Sequence, residues 1–159
     1  AEWAVRYPEM LRALILVDAF GMRVPEAPAT DLLRLDAAQM RPVLFADPNA
    51  AVAHDLIPDM PAPESLEARF RARQTLARFA WQFPDNPKLS RYLYRVKTPT
   101  LIIWGAHDGV VSTAHAQAYL RGIVGAELVV LPLCGHLPLV EQPEACVHAV
   151  LHYLARLGV

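Results

Sequence analysis

An α/β architecture, with about three parallel strands flanked by helices and a helical insertion after the first strand, is predicted by three features of this 159-residue sequence. Residues 12–18 (RALILVD) and 99–104 (PTLIIW) are continuous apolar runs of strand length, the pattern of strands buried on both faces of a parallel sheet. Strand-like and helix-like segments alternate from residue 99 to residue 157, which implies parallel strands joined by right-handed crossovers. Between the two apolar runs, prolines 25, 28, 42, 48, 58, 61, 63 and 84 break the chain into short pieces.

Taken in order, residues 1–7 read as the tail of a helix, ended by Pro8, because proline disfavours helical geometry in the residue before it. The first strand follows at 12–18. Within the insertion, 31–40 and 65–79 are expected to be helical. The second carries Leu66, Phe70, Leu76 and Phe79 with arginines 69, 71, 73 and 78 between them, an amphipathic pattern with a solvated basic face. A structureless loop of this length is improbable in a compact domain, so residues 21–90 are expected to form a helical cap and residues 1–20 and 91–159 the core. A strand at 99–104, a helix at 114–121, a strand at 127–131 and a closing helix at 143–157 complete the chain. Ser112 or Thr113 is expected to cap the first of these helices, and Gln142 with Pro143 to begin the last.

Composition narrows the function classes. A hydrophobic content of 54% with 19% charged residues excludes a disordered tail. A formal net charge of -1 without a basic run argues against nucleic acid or an anionic membrane as partner. No apolar stretch approaches the ~20 residues of a membrane span. The two cysteines, Cys134 and Cys146, make no disulfide framework and are expected to be buried free thiols in a cytoplasmic setting. The start at Ala1-Glu2-Trp3-Ala4 carries neither an initiator Met nor a signal-peptide pattern, and the natural N-terminus is expected to lie upstream.

Functional groups of open parallel sheets sit on loops at the carboxyl ends of strands. Asp108, in Trp104-Gly105-Ala106-His107-Asp108, and His136, in Leu133-Cys134-Gly135-His136, both occupy such loops. If their strands are neighbours, the carboxylate can fix the imidazole tautomer and stabilise the imidazolium formed when the other ring nitrogen takes a proton. Gly105 and Gly135 are expected to sharpen the two turns. A loop-capping aspartate and an ordinary loop histidine are the plainer alternatives for the two residues.

Residues 99–112 (PTLIIWGAHDGVVS) resemble the acid-bearing strand and loop of the α/β-hydrolase fold family. Residues 134–144 (CGHLPLVEQPE) resemble its histidine loop and final helix, and residues 2–18 (EWAVRYPEMLRALILVD) the helix and strand that follow its nucleophile. The resemblance implies Asp108 as triad acid and His136 as general base, with no metal or organic cofactor. It also implies a nucleophile on a Gly-x-Ser-x-Gly turn preceding both. Ser65, Ser90 and Ser112 lack that context, so the nucleophile is expected upstream of Ala1, and this chain is expected to be inactive alone.

Asp18 also ends a strand and is an alternate acid, as in some relatives. His148 and His152 are four apart on one helix and read as helix surface rather than metal ligands, while His54, His107 and His115 receive no role. Trp81 and Phe79, with Phe83 and Tyr92, are expected to line a substrate pocket or to pack the cap against the core. The expected substrate is a small apolar ester or the C–C bond of a vinylogous diketone. The alternatives are an epoxide hydrolase or haloalkane dehalogenase with an Asp nucleophile, or a non-catalytic remnant or ligand-binding module. An exposed edge at residues 12–18 gives the last reading its support, through the self-association it is expected to allow.

Overall fold

Three parallel strands and the helices on their two faces follow from alternation within the apolar runs. The computed structural model describes residues 1–80 and 85–158, without the side chains of residues 79 and 80. The chain begins with helix α1 (Glu2–Arg6) and strand β1 (Leu14–Val17), then runs through α2 (Ala37–Leu44), α3 (Ala51–Leu56), α4 (Leu66–Ala80) and α5 (Leu89–Tyr92). It closes with β2 (Thr100–Gly105), α6 (Thr113–Gly122), β3 (Glu127–Leu131), α7 (Pro138–Glu141) and α8 (Pro143–Leu157). Among the described residues no helix is long and apolar enough to cross a membrane.

The sheet has the order β1-β2-β3, with Leu14 opposite Thr100, Val17 opposite Ile103, Leu101 opposite Glu127 and Gly105 opposite Leu131. All six residues of the central strand β2 are buried, as its unbroken apolar run demands. Successive side chains alternate between faces. Ile102 and Trp104 join Ala4, Leu93, Ala116 and Tyr119 in the core beneath α1, α5 and α6. Leu101 and Ile103 meet Leu131, Cys146 and Tyr153 beneath α8. The Trp104 indole is satisfied in this core by donating to the Val111 carbonyl at 2.9 Å. Strand β1 is shorter than the apolar run at 12–18, but its ladder continues through Asp18, whose N–H donates to the Ile103 carbonyl at 3.0 Å.

The insertion departs most from expectation. The segment 31–40 is not one helix. A 3-10 turn at Leu32–Arg34 is capped by the Asp31 side chain, and α2 starts afresh at Asp36. There Asp36 and Gln39 form a reciprocal capping box, satisfying two amides that the helix leaves unpaired. Helix α2 also runs through Pro42, which forfeits one backbone bond of the helix. Helix α3 is too short for periodicity to reveal and lacks a side-chain cap. In α4, which occupies nearly the expected span, Arg69 and Arg73 stay exposed, as the basic face was expected to be, while reaching the carbonyls of Leu56 and Leu33. Ser112 stands at the N-cap of α6, yet neither it nor Thr113 supplies a capping side-chain bond. Helix α8 matches expectation, from Pro143 at its first position to Gly158, whose left-handed φ of 70° ends it.

Candidate active site

The loops after β2 and β3 meet because their strands are adjacent, and each is held by backbone bonds rather than by bulk. Ala106 N–H donates to the Leu131 carbonyl and His107 N–H to the Cys134 carbonyl, at 2.9 and 2.8 Å. Gly105 and Gly135 serve this contact differently from expectation. Neither has a positive φ; the loop after β3 turns instead at Leu133, with φ 53°. What Gly105 provides is proximity: a Cβ there would collide with the Gly135 carbonyl oxygen and stand 2.6 Å from that of Cys134. A Cβ on Gly135 would stand 2.5 Å from the carbonyl oxygen of Leu44, at the end of α2.

Asp108 and His136 come together in this junction. One carboxylate oxygen, Oδ1, accepts from the amides of Val110 and Val111 at 2.8 and 3.0 Å, and Oδ2 faces His136 Nδ1 at 2.9 Å. The carboxylate group is fully enclosed and the imidazole is 18% exposed. An ionised carboxylate only accepts, so the proton of the pair sits on Nδ1 and leaves Nε2 as the basic nitrogen. His136 itself is pinned through its backbone, whose N–H donates to the Leu44 carbonyl at 2.8 Å. The segment between β1 and β2 thus holds His136, and it holds the Asp108 loop too: Gly109 N–H donates to the Val43 carbonyl and the Thr30 hydroxyl to the Gly109 carbonyl.

Two acidic residues complete the arrangement. Glu141, the last residue of α7, accepts from Gly135 N–H at 2.8 Å and Leu137 N–H at 3.4 Å with Oε1, and from Ala46 N–H at 2.8 Å with Oε2. It brackets His136 on both sides and ties it to the end of α2. The sequence offered no periodicity or spacing signal for this role. Glu141→Gln would turn an amide group toward one of these N–H donors. It is expected to lower stability by about 1–3 kcal/mol, read from urea unfolding of the parent and variant chains.

Asp18 is the second. Sequence reading placed it as an alternate acid, and the structure brings it into the same cluster. Its Oδ1 accepts from Gly105 N–H at 2.9 Å, however, and not from His136. Burial pushes its carboxyl up to about 7, opposed by the Gly105 amide, raised further by the Asp108 charge and lowered by His136.

Asp18, Asp108 and His136 offer ligand atoms within 4.8 Å of one another, close enough for a metal ion. The donor set favours proton handling instead. Both Asp108 oxygens already take N–H groups, and drawing Nδ1 onto a metal would remove its proton from the Asp108 bond. Cys134, two residues before His136, is buried, and burial pushes its thiol up to about 12, with the Glu141 charge adding to the rise, which disfavours the reactive thiolate. Both cysteines are free and buried, as expected. Trp81 and Phe83 lie outside the described residues, as does the Phe79 side chain. The rings of His148 and His152 stack on α8 with centroids 6.1 Å apart, in a different part of the fold from the cluster.

The sequence pattern that defines the alpha/beta hydrolase family matches residues 3–149. The chain belongs to that family. A curated member, the 2-hydroxy-6-oxononadienedioate/2-hydroxy-6-oxononatrienedioate hydrolase of Escherichia coli, is 40% identical over 76 residues, covering 47% of this chain and 25% of that protein. Among alpha/beta hydrolases of known structure, the 2-hydroxy-6-oxo-6-phenylhexa-2,4-dienoate hydrolase of Rhodococcus sp. strain RHA1 has a TM-score of 0.70 at 20% identity, covering 97% of this chain and 59% of its own. A serine hydrolase involved in carbazole degradation gives 0.68 at 22% identity, over 97% and 58%. These structural likenesses establish the fold. The chain spans little more than half the length of those two hydrolases.

Proposed function

We propose that this alpha/beta hydrolase chain supplies the acid, Asp108, and the general base, His136, of a nucleophile–His–Asp triad. The nucleophile would come from a segment outside these 159 residues, and the chain alone would be inactive. The observation that carries the reading is the 2.9 Å contact between His136 Nδ1 and the enclosed Asp108 carboxylate, which leaves Nε2 to receive a proton. A hydroxyl placed against Nε2 would lose its proton as it attacks a carbonyl carbon, and the imidazolium would then protonate the leaving group.

The substrate class is a small apolar ester or the C–C bond of a vinylogous diketone. The activities of the Escherichia coli and Rhodococcus relatives, hydrolysis of 2-hydroxy-6-oxononadienedioate or -trienedioate and of 2-hydroxy-6-oxo-6-phenylhexa-2,4-dienoate, support the second. Helices α2 to α4 would form a cap over this site, with Trp81 and Phe79 among its lining, and no metal or organic cofactor takes part. The test is the product of the intact gene, assayed on short-chain nitrophenyl esters and on a 2-hydroxy-6-oxo-dienoate beside His136→Ala. Turnover by the variant equal to the parent's overturns the triad.

The outer edge of β1 is a second element of the reading. Strand β1 is an edge of the sheet, and of its residues only Leu16 is buried. Unpaired strand edges invite pairing with another chain. The 159-residue chain by itself is expected to self-associate through this edge, measured by light scattering on a sizing column. A lysine in place of Ile15 should shift the population toward monomer; a parent chain that stays monomeric removes this part of the proposal.

A further inference from the structure

Asp18 has two features that neither the fold nor the triad requires. Its backbone sits at φ 38°, a left-handed conformation that costs a non-glycine residue energy and is most tolerable for Asp or Asn. That turn carries the carboxyl inward, where the residue is 5% exposed, Oδ1 accepts from Gly105 N–H, and buried Oδ2 has no partner among the described residues. A merely structural side chain at a strand end would gain from being neutral and fully hydrogen-bonded. Here a buried, half-satisfied carboxyl is instead held within 4.8 Å of both Asp108 and His136.

We propose that Asp18 is a positioning residue of this site: it fixes the head of the acid loop through Gly105 and sets a second carboxyl behind the Asp108–His136 pair, so that three groups rather than two govern the basicity of the imidazole. The titratable groups around it are Asp108 on the loop after β2, His136 and Cys134 on the loop after β3, and Cys146 on α8. The two thiols, pushed upward by burial, stay neutral across the physiological range and leave the exchange to the carboxyls and the imidazole. While Asp18 holds a proton, it adds no charge, and Asp108 alone stabilises the imidazolium. Once Asp18 ionises, a second negative charge favours the protonated ring, and His136 becomes the stronger base. The two titrations are coupled, each midpoint depending on the state of the other group.

The inference deepens the triad reading and rests on it only for the use made of the base. Its test observes the imidazole directly, so it can fail while the triad stands, or hold while the triad falls. The six histidines of the chain are followed by carbon-13 NMR against pH in the parent and in Asp18→Asn, with His136→Gln identifying the signal. Asparagine keeps an oxygen for the Gly105 amide and removes the charge. The expected result is a His136 midpoint lower in Asp18→Asn by about one unit. An unchanged midpoint, which a purely structural role predicts, overturns the proposal.

A second measurement needs no variant and decides the matter if Asp18→Asn does not fold. The Asp18 carboxyl carbon of the parent should titrate near neutrality with an inflection shared by His136. A midpoint in the ordinary range near ~4, or no shared inflection, overturns the proposal. The sign for stability follows from linkage. A carboxyl that binds its proton more tightly folded than unfolded makes the folded state hold more protons between the two midpoints. Stability therefore falls as pH rises from the unfolded value of 3.8 to about 7, and Asp18→Asn should remove that slope.

Discussion

Asp108→Asn in the intact protein is expected to lower turnover by roughly 10^4-fold while leaving the fold in place. The reason is a proton's address rather than a lost contact. The asparagine carbonyl oxygen can keep accepting from Val110 and Val111, so the loop survives. Its amide group then faces His136 Nδ1 at the position of Oδ2, and a donor there makes Nδ1 an acceptor and moves the ring proton to Nε2. Nε2 is then no longer the basic nitrogen. Circular dichroism and urea midpoints should match the parent, while turnover on the preferred substrate collapses. Activity within tenfold of the parent would mean that the carboxylate is structural. Asp108→Ala separates the two roles, since it also strands two loop amides at a cost of about 1–3 kcal/mol for each buried donor.

Gly105→Ala is expected to be the most damaging single-methyl change in the chain, with a loss of about 3 kcal/mol or more in stability. The obstruction is backbone, the carbonyl oxygens of Gly135 and Cys134, and no side chain can rotate away to relieve it. Relief requires the loops after β2 and β3 to separate, which lengthens the contact between Asp108 and His136. A displacement of one ångström in a catalytic group can cost roughly 10^2-fold in rate. The variant should therefore lose both urea resistance in the 159-residue chain and turnover in the intact protein. Parent-like stability would show that the two loops are not in backbone contact.

The parts of this structure that depend on local pattern were open to sequence reasoning. The unbroken apolar run of β2 announced a buried strand, and Gln142 with Pro143 marked the start of α8. Asp108 and His136 stood out because each follows a strand, a relation that one line of sequence contains. The hidden parts are long-range. The Asp18 bond to Gly105 spans 87 positions and the Glu141 bond to Ala46 spans 95, and no short-range signal encodes either. Gly105 and Gly135 were noticed, but for turning; their use is to let two backbones touch, which requires knowing what lies opposite. Within the insertion, Pro42 looked like punctuation, yet α2 carries it inside the helix.

The hydrogen bond from His136 N–H to the Leu44 carbonyl has a practical consequence for recombination between relatives. Substrate range in such folds invites swapping the insertion as a module, with seams chosen where it leaves and rejoins the sheet. Here such a chimera would discard the backbone anchor of His136 along with Ala46, the amide that Glu141 grips. Grafts that retain residues 43–46 from the recipient and exchange only what lies beyond them keep His136 seated, and that tetrapeptide marks the border between interchangeable and fixed parts.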